Sequence, residues 1–149
     1  MLRDHKQTMN LSNGVMVDLG AGPGTSIPMF INNFKLQKCI LVDSSTEMNK
    51  IAKNVLSCYG DAIEIQRADL RDDQICVPNA SVDLVISFSA LSYLKFLDNS
   101  IEESSRMHKA NGLLLFNDFF HNKKPSIIGT DAPKVISNFM ITLGMNFLN

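Results

Sequence analysis

A chain of 149 residues with 45% hydrophobic and 19% charged side chains has the size and balance of one globular domain with a substantial core, which excludes a disordered polymer. Its formal net charge of −1 offers no basic field to gather nucleic acid or an anionic membrane surface. No apolar run approaches the roughly 18 residues of a membrane span and the first ten residues lack the apolar core of a secretory leader, so the expected location is cytoplasmic.

Residues 15–19, VMVDL, form a short apolar run that predicts a buried strand. It ends at three glycines on alternate positions, Gly20, Gly22 and Gly24. A plain turn needs one or two. Three imply that the backbone lies close against something, because only glycine lacks the Cβ that would block the approach. Ile27, Phe30, Ile31 and Phe34 then recur at helical spacing. Thr25 or Ser26 is placed to cap that helix, and Pro28 fits only in its first turn.

KCILVD at 38–43 reads as the second strand. Ser44 or Ser45 opens a second helix with Met48, Ile51, Ala52 and Val55 on one face, and Gly60 lies just beyond it. AIEIQRA at 62–68 alternates like a strand with one wetter face, and DLRDDQICVPNAS at 69–81 reads as a loop. VDLVISF at 82–88 is the most β-like segment. Residues 97–109 predict a polar-faced helix carrying Ile101 and Met107, ended by Asn111-Gly112. LLLFNDFF at 113–120 is a fifth strand. After a loop, residues 131–142 look helical, with Val135, Ile136, Phe139, Met140 and Leu143 forming a broad apolar face.

Strands that mostly alternate with helices predict an α/β fold. The expectation is a doubly wound, mostly parallel sheet of five or six strands with helices on both faces, as a single domain over 1–149. Cys39, Cys58 and Cys76 are odd in number and lack CxxC spacing. They read as reduced thiols in packed or half-packed positions, with neither a disulfide framework nor a metal site.

In such sheets ligands bind at the carboxyl ends of the strands, where the strand order reverses. The glycines, Asp43, Asp69 and the residues after Phe88 all fall at those ends. A strand, a glycine loop and a helix suit a nucleotide-like ligand. Asp43 closes the next strand about 20 residues on, where an acidic side chain takes ribose hydroxyls. The spacing is GxGxG, with Thr25 where a dinucleotide fingerprint has its third glycine, which argues against NAD.

Five segments in order resemble the class I S-adenosylmethionine-dependent methyltransferases. They are VDLGAGPGT at 17–25, LVDSS at 41–45, RADL at 67–70, VPNASVDLVISFSALSYL at 77–94 and MHKANGLLLFNDFF at 107–120. The resemblance covers nearly the whole chain and implies S-adenosyl-L-methionine as cofactor. It implies that Gly20, Ala21, Gly22 and Gly24 approach the methionine end and ribose, with Asp18 near the ammonium. Asp43, with Ser44 beside it, would take the ribose hydroxyls. Asp69 would accept from the adenine amine with the Leu70 backbone nearby, and Phe88 and Ser89 would lie beside the sulfonium.

A methyl donor of this kind needs alignment more than side-chain chemistry, so catalytic candidates are few: Tyr93 with its neighbour Ser92, Asp118 and His121. The Asn/Asp-Pro-Pro-Tyr motif of enzymes that methylate nucleic-acid amines is replaced by SFSA at 87–90, which points to a small-molecule acceptor. The resemblance departs at both ends. About a dozen residues precede the first strand, and the family's antiparallel sixth and seventh strands are absent or reduced to MNFLN. The chain thus reads as C-terminally shortened. The fifth strand becomes an open edge, and pairing through it or the C-terminal segment, as a homodimer or with a partner chain, is expected. The rival functions are a cofactor-binding but inactive module, such as the partner of an active subunit, and a nicotinamide-dependent oxidoreductase.

Overall fold

The computed structural model describes residues 11–117. Five strands form one parallel sheet: β1 (Val15–Leu19), β2 (Lys38–Asp43), β3 (Ile63–Arg67), β4 (Val82–Phe88) and β5 (His108–Asn117). Their spatial order is β3-β2-β1-β4-β5. Three helices connect them, α1 (Ile27–Phe34), α2 (Thr46–Val55) and α3 (Asp98–Met107). The fold is the doubly wound α/β architecture that the strand and helix pattern predicts.

Strand alternation divides the core in two, because successive side chains leave a strand on opposite faces. Met16, Cys39, Leu41, Leu84 and Ile86 pack with Ile27, Phe30 and Ile31 of α1 and with Ala52 of α2. Val17, Leu19, Ile40, Val42 and Val85 point the other way and pack with Met107 of α3 and with Ile75 and Val77 from the loop after β3. A strand buried on both faces must be apolar at nearly every position, which is why β1, β2 and β4 read as mainly hydrophobic runs, interrupted within β1 and β4 by Asp18, Asp83 and Ser87.

β1 lies centrally, with β2 on one side and β4 on the other. Between those neighbours the chain order reverses, and the loops after β1 and β4 open a crevice at the carboxyl ends.

Several local expectations change. α2 buries Ala52 but leaves Met48, Ile51 and Val55 exposed. It rests on β2 and β3 at the β3 edge of the sheet, and among the described residues no layer covers its outer flank. α3 ends at Met107, and β5 begins at His108 instead of 113. His108 already pairs with Val82, and the next matched pair is Leu84 with Leu113. Here β4 advances two residues while β5 advances five, so Asn111-Gly112 falls in a bulge within the strand rather than in the turn that ends the helix. A Cβ on Gly112 would stand 3.0 Å from the Val82 and Lys109 carbonyl oxygens, which explains the glycine there. Cys39 is buried, whereas Cys58 and Cys76 are exposed. The predicted helix at 131–142 and the last residues of the predicted fifth strand lie outside the described residues.

Candidate functional site

The glycine turn begins where β1 stops. Gly20 and Ala21 both donate their N–H to the Val42 carbonyl, at 2.8 and 3.2 Å, and Gly24 N–H closes back on the Ala21 carbonyl at 3.0 Å. Gly20, Gly22 and Gly24 have φ of +73°, +53° and +74°, a region that side chains with a Cβ rarely adopt. The three nevertheless meet different surroundings. A Cβ on Gly20 would stand 2.2 Å from the Cβ of Ala90, so the loops after β1 and β4 touch only because no side chain intervenes. A Cβ on Gly24 would collide with Leu41 and Leu56, so that glycine serves packing. Nothing lies within 4 Å of a Cβ placed on Gly22, where the backbone faces open space.

Asp43 ends β2 beside this opening. Its Oδ2 accepts from Gly22 N–H and its Oδ1 from Ser45 N–H, each at 2.8 Å. Two backbone donors thus lock the carboxylate in place while each oxygen keeps a further lone pair. Ser45 also caps α2, its hydroxyl accepting from Met48 N–H at 3.2 Å, and Ser44 is exposed beside it.

Asp18, one residue before the end of β1, is 3% exposed. Burial, opposed by a hydrogen bond from Ser26 and reinforced by the nearby Asp43 charge, pushes its carboxyl up to about 6. The Ser26 hydroxyl donates to Asp18 Oδ2 at 2.9 Å. Ser26 therefore does not cap α1 with its side chain; the hydroxyl expected to serve the helix serves the acid instead. The same burial, with the Asp18 charge as the smaller cause, pushes the Cys39 thiol up to about 12.

The loop after β3 forms the far wall. Asp69 lies at its start, where a bidentate pair with Arg71 holds its carboxyl down near 2. Leu70 is buried, and its carbonyl accepts from Asn99 Nδ2 and the Ser100 hydroxyl of α3, each at 3.1 Å. Further along, Arg106 binds Glu103, the Ile75 and Val77 carbonyls and Asn79 Oδ1, while Glu103 accepts from Ile75 N–H at 2.8 Å. α3 thus clamps a loop that contains no helix or strand of its own. Glu103 and Arg106 have the i, i+3 spacing of a helical ion pair, but sequence does not distinguish a buried clamp from a solvated pair.

On the β4 side, Ser89 takes a φ of +54°, strained for a residue with a Cβ, and places Ala90 against Gly20. Phe88 turns toward α1 and stacks on Phe30, ring centroids 5.9 Å apart. Tyr93 is 87% exposed and Phe96 is also exposed. Asp118 and His121 lie outside the described residues. The structure therefore gathers Asp18, the glycine turn, Asp43 and Ser89 around one opening, with Asp69 and Leu70 on the loop that follows the neighbouring strand. Ala90, Ser26 and the α3 clamp were not legible as site elements. Only the fold shows which loop meets which.

A parallel sheet with an open glycine turn at its switch point and an acid at the end of β2 defines a nucleotide-type cofactor domain. Residues 17–116 match the family described as Methyltransferase domain. The chain belongs to this family, the class I S-adenosylmethionine-dependent methyltransferases, and its cofactor is S-adenosylmethionine. It is 31% identical over 99 residues to a trans-aconitate 2-methyltransferase of Azoarcus sp. (strain BH72), covering 66% of this chain and 36% of that protein. An S-adenosylmethionine-dependent methyltransferase from Aquifex aeolicus superposes with a TM-score of 0.66 at 21% identity, over 83% of this chain and 68% of that one. The putative methyltransferase in a complex with the Haloferax volcanii Trm112 activator gives 0.61 at 24%, over 76% and 49%. The chain thus spans about a third of the curated relative it matches. Among the described residues no helix is long and apolar enough to cross a membrane.

The Asp18 environment generates a pH test. The folded chain holds the Asp18 proton more tightly than the unfolded chain, whose carboxyl has its ordinary value of 3.8. Stability therefore falls as pH rises from about 4 to about 6 and then levels off, losing about 3 kcal/mol from this group. Asp18→Asn should abolish that part of the profile and be the more stable form at pH 7. Urea melts of both forms from pH 4 to 8 check this; parallel profiles would contradict it.

Proposed function

We propose that the chain transfers a methyl group from S-adenosylmethionine to a small-molecule acceptor by direct in-line displacement. The observation that carries the reading is the open space before Gly22, bordered by the locked Asp43 carboxylate at the switch point of the sheet. The residues present fit the cofactor: an open turn at Gly22 with nothing within 4 Å of a Cβ placed there, an acceptor with spare lone pairs for a diol, and a buried carboxylate for an ammonium.

When bound, the cofactor supplies a methyl group on a sulfonium, which is an excellent leaving group. Gly22 leaves the backbone open to it, with Ala21 beside it, while Gly20 and Gly24 hold the turn in place against Ala90 and against Leu41 and Leu56. Asp43 accepts from both ribose hydroxyls, with Ser44 alongside. Asp18 faces the ammonium, and a cation there favours its ionised form. Asp69 and the Leu70 backbone hold the adenine edge. Phe88 and Ser89 border the reacting end, and alignment there with exclusion of water is the protein's main contribution.

Tyr93 and Phe96, exposed beyond the end of β4, offer aromatic surface for an acceptor. Tyr93 is the catalytic candidate within the described residues, while Asp118 and His121 keep that standing from sequence. The name of the curated relative, a trans-aconitate methyltransferase, supports a small acceptor. The expected cytoplasmic location accords with this reading.

Asp43→Ala, which removes a charged acceptor pair, should weaken S-adenosylhomocysteine binding by roughly 2–4 kcal/mol. Gly22→Val should abolish binding while leaving a cooperative fold, because its side chain enters the ligand volume. Calorimetric titration with a melting curve for each variant checks both. Normal binding in a folded Gly22→Val would make the glycines a turn and nothing more.

We also propose that a second copy or a partner chain pairs along β5. Among the described residues β5 pairs with β4 alone, and Leu114 and Phe116 are buried while Leu113 and Leu115 are half-buried. An apolar strand of this kind invites pairing along its other edge. Sedimentation should find a dimer or larger species at tens of micromolar; a soluble, cooperatively melting monomer would contradict the pairing.

A further inference from the structure

The carboxylate assigned to the adenine amine is already held by a neighbour. Arg71 Nε lies 2.9 and 3.1 Å from the two Asp69 oxygens, and Arg71 Nη2 lies 2.5 Å from Oδ2. The Arg71 backbone N–H also donates to Oδ1, at 3.0 Å. An ionised carboxylate presents about four lone-pair directions. The guanidinium fork makes three contacts and this amide a fourth, and the fork brings a cation that neutralises the acceptor's charge.

The backbone of the turn is fixed independently of that pair. Asp72 and Asp73 donate their N–H to the Asp69 carbonyl, at 3.2 and 2.9 Å. Asp69 N–H donates to Asp73 Oδ2 at 2.7 Å. Asn99 of α3 holds the Leu70 and Asp73 carbonyls, each at 3.1 Å. The Arg71 side chain, by contrast, is 63% exposed. It can leave Asp69 without disturbing the turn, and the Asp72 charge beside it offers an alternative partner.

We propose that Arg71 competes with the adenine amine for the Asp69 carboxylate and thereby sets how tightly the cofactor's adenine end is held. The proposal rests on the reading of Asp69 given above and adds a positioning residue to it. The free protein keeps the acceptor engaged in an exposed ion pair, and cofactor binding exchanges that pair for the bond to adenine. Exposed pairs are weak, so the competition tunes affinity without closing the site.

The test is a calorimetric titration of S-adenosylhomocysteine at low salt into the wild type, Arg71→Gln, Asp69→Asn and the double variant. Arg71→Gln should tighten binding about two- to fivefold, the range of an exposed ion pair. Asp69→Asn should weaken it, and Arg71→Gln should bring no gain in that background. S-inosylhomocysteine, which carries a carbonyl where adenine has its amine, should bind the wild type and Arg71→Gln alike. A purely structural role for Arg71 would not produce this dependence on one exocyclic group. Raising NaCl tests the competition without a substitution, since screening the pair should shrink the difference between wild type and Arg71→Gln. If Asp69→Asn weakens binding but Arg71→Gln leaves it unchanged or weakens it, the competition is overturned and the reading of Asp69 stands. If Asp69→Asn binds like the wild type, Asp69 leaves the site and the proposal falls with it.

Discussion

The contact between Gly20 and Ala90 is the constraint on which the rest of the site depends. β1 and β4 are neighbours in the sheet, and the loops that leave their carboxyl ends must diverge or touch. They touch, because the position that would hold a Cβ at Gly20 is taken by the Ala90 Cβ, 2.2 Å away. That approach pins the first turn of the glycine loop. The Val42 carbonyl ties the same turn to β2 through the Gly20 and Ala21 amides. With both sides fixed, Gly22 is carried outward to meet the Asp43 carboxylate. The strained Ser89 backbone is the counterpart on β4, a local cost accepted to bring Ala90 into place.

Two carboxylates near this turn have different surroundings. Asp43 is gripped by two backbone N–H groups and stays beside the opening. Asp18 is sunk in the sheet with one hydroxyl donor, and burial raises its proton affinity. The far wall gains order differently. The loop after β3 contains no helix or strand of its own, and α3 ties it down through Asn99, Ser100, Glu103 and Arg106. Among the described residues no buried side-chain nitrogen or oxygen lacks a partner, as a well-ordered site requires.

The sheet was largely legible in the sequence because buried parallel strands must be apolar on both faces. β1, β2 and β4 appear at the boundaries that their apolar runs predict, and β3 within one residue of them. The glycine turn and Asp43 were legible because few residue types fit those tasks. Three features were not. The face of α2 misled because periodicity shows that a helix is amphipathic, but not whether a neighbouring layer covers its apolar flank. The start of β5 misled because Asn-Gly is good turn chemistry whether it ends a helix or builds a bulge. Ser26 looked like a cap because a hydroxyl before a helix usually is one; the buried Asp18 that claims it lies eight residues back and becomes a neighbour only in the fold.

The central claim is that the open turn at Gly22 and the Asp43 carboxylate together form the cofactor site. The most direct measurement is an amide-resolved NMR titration of the isotopically labelled chain with S-adenosylhomocysteine. The account predicts saturable shifts largest at the Gly20, Ala21, Gly22 and Ser45 amides, which line the turn or hold Asp43. Saturable binding whose shifts centre elsewhere, such as on the hollow between α2 and β3 lined by Lys50, Lys53 and Arg67, would contradict it.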